Sequence, residues 1–595
     1  MSPPATSTVF DIAGALPGGF TVLEASAGTG KTFTIAGLAA RYVAGGLPVE
    51  RLLVVTFTRM ATSELRERVR ERLSSAEAGL GLALVGVAPD PADVVLCVLA
   101  RGSPAEVEGR RRRLATALAE FDAATIATTH GLCQHILAGL GVAGDVEAEA
   151  TFVEDPSDLV AEVVDDLYVR HVLGRGHPGF SRKDAGEIAA RVVANPTAPL
   201  QPAAAPPGSE WARRSGLATQ ARRYVEQRKL RAGLLSYDDL LTRLAATLED
   251  PERGPAACAR LRQRYSVALV DEFQDTDPVQ WDILRLAFGE GGTTLVLVGD
   301  PKQAIYSFRG ADVWAYLEAR RAAPSIATLA TNWRSDQGLV DACAALFGDA
   351  HLGHPEIAFR AVQAAPAHVA AGLAGAPAGA PMRIRVVHRA DGAVTLTDRG
   401  RYVAKRSGEA HVAADLAADV ARLLGSGATV AGRDATGPGA ARERIRPGQV
   451  AVLVRTNGQA EMVRQALEAA RVPAVINGAG TVLATPVARH WLRLLEALER
   501  PASASRARAV ALGPFVGWSA TDLAGAGDAA LESLQAELVG WAGVLDRRGV
   551  ASLVELVTRT QGLPARLLAQ AGGERHLTDL RHVGQLLHAE AVAAN

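Results

Sequence analysis

Four short apolar runs organise the first half of the chain: Phe20–Glu24 (FTVLE), Leu52–Val55, Val267–Val270 and Thr294–Val298. Each is continuous rather than alternating in hydrophobicity, the pattern of strands covered on both faces. The first leads through the small residues Ala25–Gly30 into a helical pattern, FTIAGLAARYV. Strand, small-residue loop and helix in that order predict an α/β fold with parallel sheets. Ala/Arg-rich helical stretches at about 81–119 and 141–254 interrupt this first unit and predict helical insertions. A second, partial α/β unit is expected over 327–501, from the strand-like Val450–Val454, the helical AEMVRQALEAA and the strand-like PAVI at 473–476. From 502 to 595 the pattern is helical, as in LESLQAELVGWAGVL at 531–545. The segments NPTAPLQPAAAPPG (195–208) and 364–381 are rich in Pro, Gly and Ala and predict loops.

The junctions between these runs carry the chemistry. The loop after the first strand reads ASAGTGKT at 25–32. Small residues at Ala25, Ser26, Ala27, Gly28, Thr29 and Gly30 let backbone N–H groups close around phosphate oxygens, and the new helix adds the positive end of its dipole. Lys31 would reach the β- and γ-phosphates, and the Thr32 hydroxyl would bind Mg²⁺. The usual pattern has Gly where Ala25 stands. Of 63 basic residues only five are lysine, so a lysine at this point marks a need for a compact ammonium. The plainer alternative is a glycine-rich turn ahead of a helix. A second string, VDEFQDTDP at 270–278, puts Asp271 and Glu272 at the carboxyl end of a buried strand, where open α/β sheets bind ligands. Asp271 would hold Mg²⁺ and Glu272 would orient and deprotonate the attacking water. The alternative there is a solvated acidic turn. A third run leads into GDPKQAIYSFRG at 299–310, where Gln303 can sense a γ-phosphate and Tyr306 and Phe308 can stack on bases or serve as core.

These strings, with VVTFTRMATSELRERVRERL at 54–73, IATTHGLCQHIL at 126–137 and TNWRSD at 331–336, resemble the UvrD/Rep-type DNA helicases, and among them the RecB type of helicase–nuclease subunit in its actinobacterial form. The resemblance implies P-loop, RecA-like motor domains: the first from 1–80, 120–140 and 255–326, helical insertions at 81–119 and 141–254, a partial second motor at 327–501, and a further helical insertion from 502. It implies ATP and Mg²⁺ as cofactors and an ATP-dependent 3′→5′ helicase acting in double-strand break repair, on DNA and with RecC-like and RecD-like partner subunits. It assigns Lys31 and Thr32 to nucleotide and metal, Asp271 and Glu272 to metal and water, and Gln303 and Arg334 to the γ-phosphate. It places Trp333 near the adenine, and Phe57, Thr129, His130, Tyr306 and Phe308 on the DNA side. Phe33 stands where many UvrD-type relatives have Arg, as in RecB proteins, and no adenine-reading glutamine precedes the loop. The family's later TxHxxKGLE-like and VAxTRA-like segments and nuclease domain are not in this sequence, whose last lysine is Lys405. An amino-terminal part of such a subunit, not self-sufficient as a helicase, is therefore expected. A stand-alone UvrD-like repair helicase and a non-catalytic ATP- and DNA-binding scaffold are the alternatives.

Composition bounds this picture. With 595 residues, roughly three or four domains are expected. A net charge of −1 gives no global basic signature, so nucleic acid would depend on a local groove. Arg110–Arg113 reads as a solvated helix face, and Tyr237-Asp238-Asp239 as a capping or packing element. Cys97, Cys133, Cys258 and Cys343 have no CxxC spacing, which points to a reducing compartment; His130 with Cys133 alone makes no zinc site. Without a signal pattern or a run of about 18 apolar residues, the cytoplasm is the expected location.

Overall fold

The computed structural model describes residues 8–593 apart from 141–150, 154–155, 176–178, 197, 203–205, 308–310, 349, 371, 390–391, 398, 432–441, 478–480 and 571. The chain packs as two compact units, Met1–Val386 with Ala428–Arg444, and Val387–Gly427 with Ile445–Asn595.

The first unit opens with β1 (Thr8–Val9), β2 (Phe20–Glu24), α1 (Lys31–Ala44), β3 (Leu52–Thr56), α2 (Arg59–Leu84), α3 (Val94–Leu99), α4 (Pro104–Ala119), β4 (Thr125–Thr128) and α5 (Thr129–Leu140). It continues through β5 (Thr151–Phe152), α6 (Ser157–Arg175), α7 (Arg182–Val193), α8 (Glu210–Arg231), β6 (Leu234–Leu235), α9 (Tyr237–Glu249) and α10 (Gly254–Arg264). There follow β7 (Val267–Val270), α11 (Pro278–Phe288), β8 (Thr294–Gly299), α12 (Val313–Ala322), β9 (Ser325–Thr328), β10 (Thr331–Asn332), α13 (Gln337–Phe347) and β11 (Gln363–Ala364).

Seven of these strands form one parallel sheet in the order β1-β9-β2-β8-β7-β3-β4. The four apolar runs are its centre, and both faces are covered. On one face Leu23, Val54, Leu269 and Val296 pack with α1, α2, α3 and α4. On the other, Val22, Val55, Val270 and Leu297 pack with α5, α9, α10, α11 and α12. Continuous hydrophobicity follows directly from burial on both sides. The order also places β8 between the loop strand β2 and the acid strand β7. Whatever follows β8 is thus held between the loop after β2 and the acids after β7.

The boundaries differ from the sequence pattern in three places. First, α3 and α4, inside the expected 81–119 insertion, contribute Leu96, Leu99 and Leu114 to the sheet's own core, as α9 does on the opposite face. Among the described helices of the two expected insertions, α6, α7 and α8 are the ones with a core of their own, around Val163, Ala189 and Val225. Within α4, Arg110 donates to the Leu99 carbonyl and Arg113 to the Ala44 carbonyl, both at 2.7 Å, and Arg111 pairs with Glu77 at 2.7 Å. The basic run therefore ties α4 to its neighbours, while Arg112 and Arg113 remain exposed, as a solvated face would be. Second, β9 pairs with β2 (Ala327 opposite Leu23), so the first sheet runs past the expected start of a new unit at 327. Third, Val450–Val454 and 473–476 form no strands, and Leu453 and Val475 are almost fully exposed. An extended segment gains ladder bonds and burial only from neighbouring strands, and among the described residues none lies beside these.

The second unit is instead mainly helical. α14 (Lys405–Gly425) and α15 (Asn457–Ala469) pack around Ala417, Leu467 and Val472. α16 (Pro486–Glu499) joins α17 (Ala504–Ala511), α18 (Ala520–Gly525), α19 (Asp528–Thr560), α20 (Leu563–Leu568) and α21 (Gly573–Ala593) around Trp491, Leu494, Leu538 and Leu580. α19 contains the predicted 531–545 helix and breaks at Gly549, whose φ of 76° is not helical. No helix among the described residues is long and apolar enough to cross a membrane.

Asp239 plays the expected capping role, accepting the Ser236 N–H at 2.7 Å and pairing at 2.8 Å with the buried Lys229 of α8. Replacing Lys229 with Met strands that carboxylate beside apolar side chains. The change is expected to cost roughly 3 kcal/mol in urea unfolding, and Asp239→Asn in the same chain to recover most of it.

Candidate nucleotide and nucleic-acid site

The loop between β2 and α1 is built by its glycines and Thr29. Gly28 (φ 78°) and Gly30 (φ 83°) sit in the left-handed region, where a side chain would be strained. The Thr29 hydroxyl donates to the Ser26 carbonyl at 2.8 Å and accepts the Ser26 N–H at 3.2 Å, closing the turn. Gly30 precedes α1 with no side-chain cap, which leaves the helix's first turn presented to an anion. Ala25 is buried and its N–H continues the ladder to Gly299 at 2.9 Å. It is not among the positive-φ residues, so the fold does not require glycine there.

The acids arrive from β7. Asp271 is buried, and its Oδ1 accepts the Glu272 N–H at 2.9 Å. Burial, and then the charge of Glu272, pushes the Asp271 carboxyl up to about 6. Asp275 is raised to about 6 by the same two causes in the same order. Glu272 itself is held in the left-handed region (φ 50°), an uncommon conformation for a residue other than glycine. Its Oε2 forms an ion pair with the Lys31 ammonium and accepts from Gln274 Nε2 at 2.7 Å. A cleft of about 1290 Å³ opens over this pair, lined among others by Gly28–Thr32, Glu272, Gln303, Trp333 and Arg334.

The TNWRS segment closes one side of the loop. Asn332 Nδ2 donates to the Ala27 carbonyl at 3.1 Å, and the Trp333 N–H donates to Gly28 O at 2.8 Å. Asn332 Oδ1 also accepts the N–H groups of Arg334 and Ser335, both at 2.8 Å, fixing the turn that carries Arg334 onto the cleft. The exposed Trp333 ring stands beside Gly30; a Cβ there would lie 3.5 Å from it.

The sequence-expected residues therefore divide. Ala27–Thr32, Glu272, Gln303, Trp333 and Arg334 share one cleft, with Asp271 buried at the end of the strand that carries Glu272. Ala25 and Ser26 instead line a separate small cavity with Lys302 and Arg360. Phe57, after β3, packs on Tyr306, after β8, with ring centroids 5.0 Å apart. Thr129 and His130 begin α5 at the carboxyl end of β4, the strand next to β3; Thr129 is buried and His130 half-buried. Phe308 lies outside the described residues. Three polar residues escaped the motif reading: Gln274, Asp300 and Asn332, each buried and hydrogen-bonded across the site. All three stand inside quoted strings, but the bonds that cross the site, Gln274 to Asp300 and Asn332 to Ala27, join residues 26 and 305 positions apart.

Residues 11–324 match the UvrD/REP helicase N-terminal domain family. The chain is 44% identical over 583 residues to the RecBCD enzyme subunit RecB of Mycolicibacterium smegmatis, spanning 97% of this chain and 51% of that protein. To the subunit of the same name from Mycobacterium tuberculosis it is 44% identical over 588 residues, 98% of this chain and 51% of the relative. To that of Escherichia coli strain K12 it is 27% identical over 711 residues, 95% of this chain and 57% of the relative. The chain thus spans about half the length of the curated relatives it matches.

Gly28→Ala tests the loop geometry. Its Cβ would lie 2.8 Å from Asn332 Oδ1 at a positive φ. The variant is expected to keep the fold and lose nucleotide affinity about tenfold or more, measured with a fluorescent nucleotide.

Proposed function

Since this chain belongs to the UvrD/REP helicase family, we propose that it forms the ATP-hydrolysing motor region of a RecB-like DNA helicase. The observation that carries the reading is the meeting of Lys31, Glu272, Gln303 and Arg334 on one cleft at the carboxyl edge of a parallel sheet. The uncapped first turn of α1 and the Lys31 ammonium suit a triphosphate. Thr32 and Asp271 offer the hard oxygen ligands that Mg²⁺ takes, and the raised Asp271 carboxyl marks a place where a cation relieves repulsion. Bound there, Mg²⁺ would neutralise charge on the phosphate oxygens.

The chain's own residues then act in a definite order. A phosphate entering the loop competes with Glu272 for the Lys31 ammonium. Glu272, released from that pair, has an oxygen free to accept a hydrogen bond, and then a proton, from water. Gln303 and Arg334 present an amide and a guanidinium to the same cleft, suited to a γ-phosphate. The Trp333 ring offers a stacking face for the base, and the Phe57–Tyr306 pair one for single-stranded DNA. Thr129 and His130 extend that DNA side along the sheet edge.

The similarity to RecB subunits supports 3′→5′ movement in double-strand break repair, on duplex ends and single strands, with RecC-like and RecD-like partners and a cytoplasmic setting. In that scheme the seven-stranded sheet, β9 included, is the first motor lobe, with α6, α7 and α8 as its insertion; the chain after β9 as far as 501 belongs to the second lobe and 502–595 to a second insertion.

Glu272→Gln in the complete protein separates binding from chemistry. Because the substitution also frees Lys31, nucleotide affinity should hold or rise while DNA-stimulated phosphate release falls about 10²–10⁴-fold. Lys31→Ala should instead lose affinity. Undiminished turnover in Glu272→Gln would remove the assigned base.

A further inference from the structure

Gln274 is 2% exposed and its amide has three partners. Nε2 donates to Glu272 Oε2 at 2.7 Å and to Asp275 Oδ2 at 3.3 Å; Oε1 accepts the Asp300 backbone N–H at 2.9 Å. A backbone N–H can only donate, so this bond fixes which end of the amide faces Glu272. Each partner leads onward. Asp300, almost wholly buried, accepts from Gln303 Nε2 at 2.7 Å and pairs with Lys302 at 2.6 Å. The Ile305 backbone N–H, one residue before Tyr306, lies near enough to favour the charged Asp275 carboxylate, although burial and Glu272 outweigh it. One side chain therefore joins the water-activating acid to the γ-phosphate amide, and Gln303 stands three residues before Tyr306 on the loop that bears the aromatic pair.

The shared atom matters most. Glu272 Oε2 takes both the Lys31 ammonium and the Gln274 amide. When a phosphate draws Lys31 away, the amide remains to hold that oxygen. Gly299 makes the approach possible, because a Cβ there would lie 2.9 Å from Gln274 Oε1.

We propose that Gln274 is a positioning residue that couples Glu272 to Gln303 and to the Tyr306 loop, so that nucleic acid on the aromatic face sets the aim of the catalytic carboxylate. The inference rests on the proposed roles of Glu272 and Gln303. Two rigid alternatives exist for such a coupling, a shift of β7 against β8 or a side-chain relay, and the described bonds supply the relay. An amide suits it because one group both donates to a carboxylate and accepts from a backbone N–H, which neither an ionised Glu nor Met can do.

The test uses the complete protein with single-stranded DNA, comparing wild type, Glu272→Gln, Gln274→Met, Gln274→Glu and Gly299→Ala. Gln274→Met should leave the ATP KM within about twofold and lower DNA-stimulated kcat about tenfold or more, with a smaller ratio of stimulated to unstimulated rate. Gln274→Glu, which places a second carboxylate against Glu272, should be worse. Combined with Gln303→Ala, Gln274→Met should cost no more than the worse single change, because both cut one chain of bonds. Fluorescent-nucleotide binding reports whether each variant is folded, and Gly299→Ala, which crowds the amide without removing it, should show the same split between KM and kcat. A wild-type kcat and stimulation ratio in Gln274→Met, or losses that multiply independently with Gln303→Ala, would overturn the relay while Glu272→Gln remained inactive. A wild-type protein without DNA-dependent hydrolysis would take the functional reading down with it.

Discussion

The pairing of Lys31 with Glu272 is the interaction on which the rest of the first unit depends. The two residues are 241 positions apart and meet only because β2 and β7 lie in one parallel sheet with β8 between them. Both side chains are partly withdrawn from water, Lys31 more than Glu272 (11% and 34% exposed), so each charge carries a desolvation cost that its partner offsets. Such a pair is poised rather than permanently closed. A more highly charged anion arriving at the same ammonium has the stronger claim on it, and its arrival returns the carboxylate to solvent and to the amide of Gln274.

Around that pair the chain uses its cations selectively. Arginine is the general-purpose cation here, tying α4 to backbone carbonyls through Arg110 and Arg113 and pairing Arg320 with the buried Glu24 at 2.6 Å. Lysine is scarce, yet Lys31, Lys229 and Lys302 are each largely buried against a carboxylate. A compact ammonium fits where a planar fork would need more room and more partners. Glu24 is the last residue of β2, so its pairs with Arg320 and Arg360 anchor the strand from which the phosphate loop departs.

The acidic cluster shows the opposite economy. Asp271, Glu272 and Asp275 crowd one turn with a single lysine among them, and two of the three carboxyls are pushed up to about 6. Left-handed backbone at Glu272 adds local strain. A cation bound at this turn would lessen the crowding of the three carboxyls.

The central strands, the phosphate loop and the acids were legible in the sequence because each is a local signal. An apolar run of five residues, a string of small residues before a helix, and two acids after a strand depend only on nearest neighbours in the chain. Boundaries were less legible. Nothing local distinguishes α3 and α4, which share the sheet's core, from α6, α7 and α8, which have their own. The strand-like 450–454 and 473–476 carry β-type residues, but a strand exists only with a partner beside it. Tertiary structure alone decided that β9 joins the first sheet, that Asn332 clasps the loop, and that Gln274 reaches across to Asp300. The physical reason is common to all of these. Hydrogen bonds and ion pairs between residues tens to hundreds of positions apart are set by strand order and close packing, and no pattern along the chain encodes which strand will lie beside which.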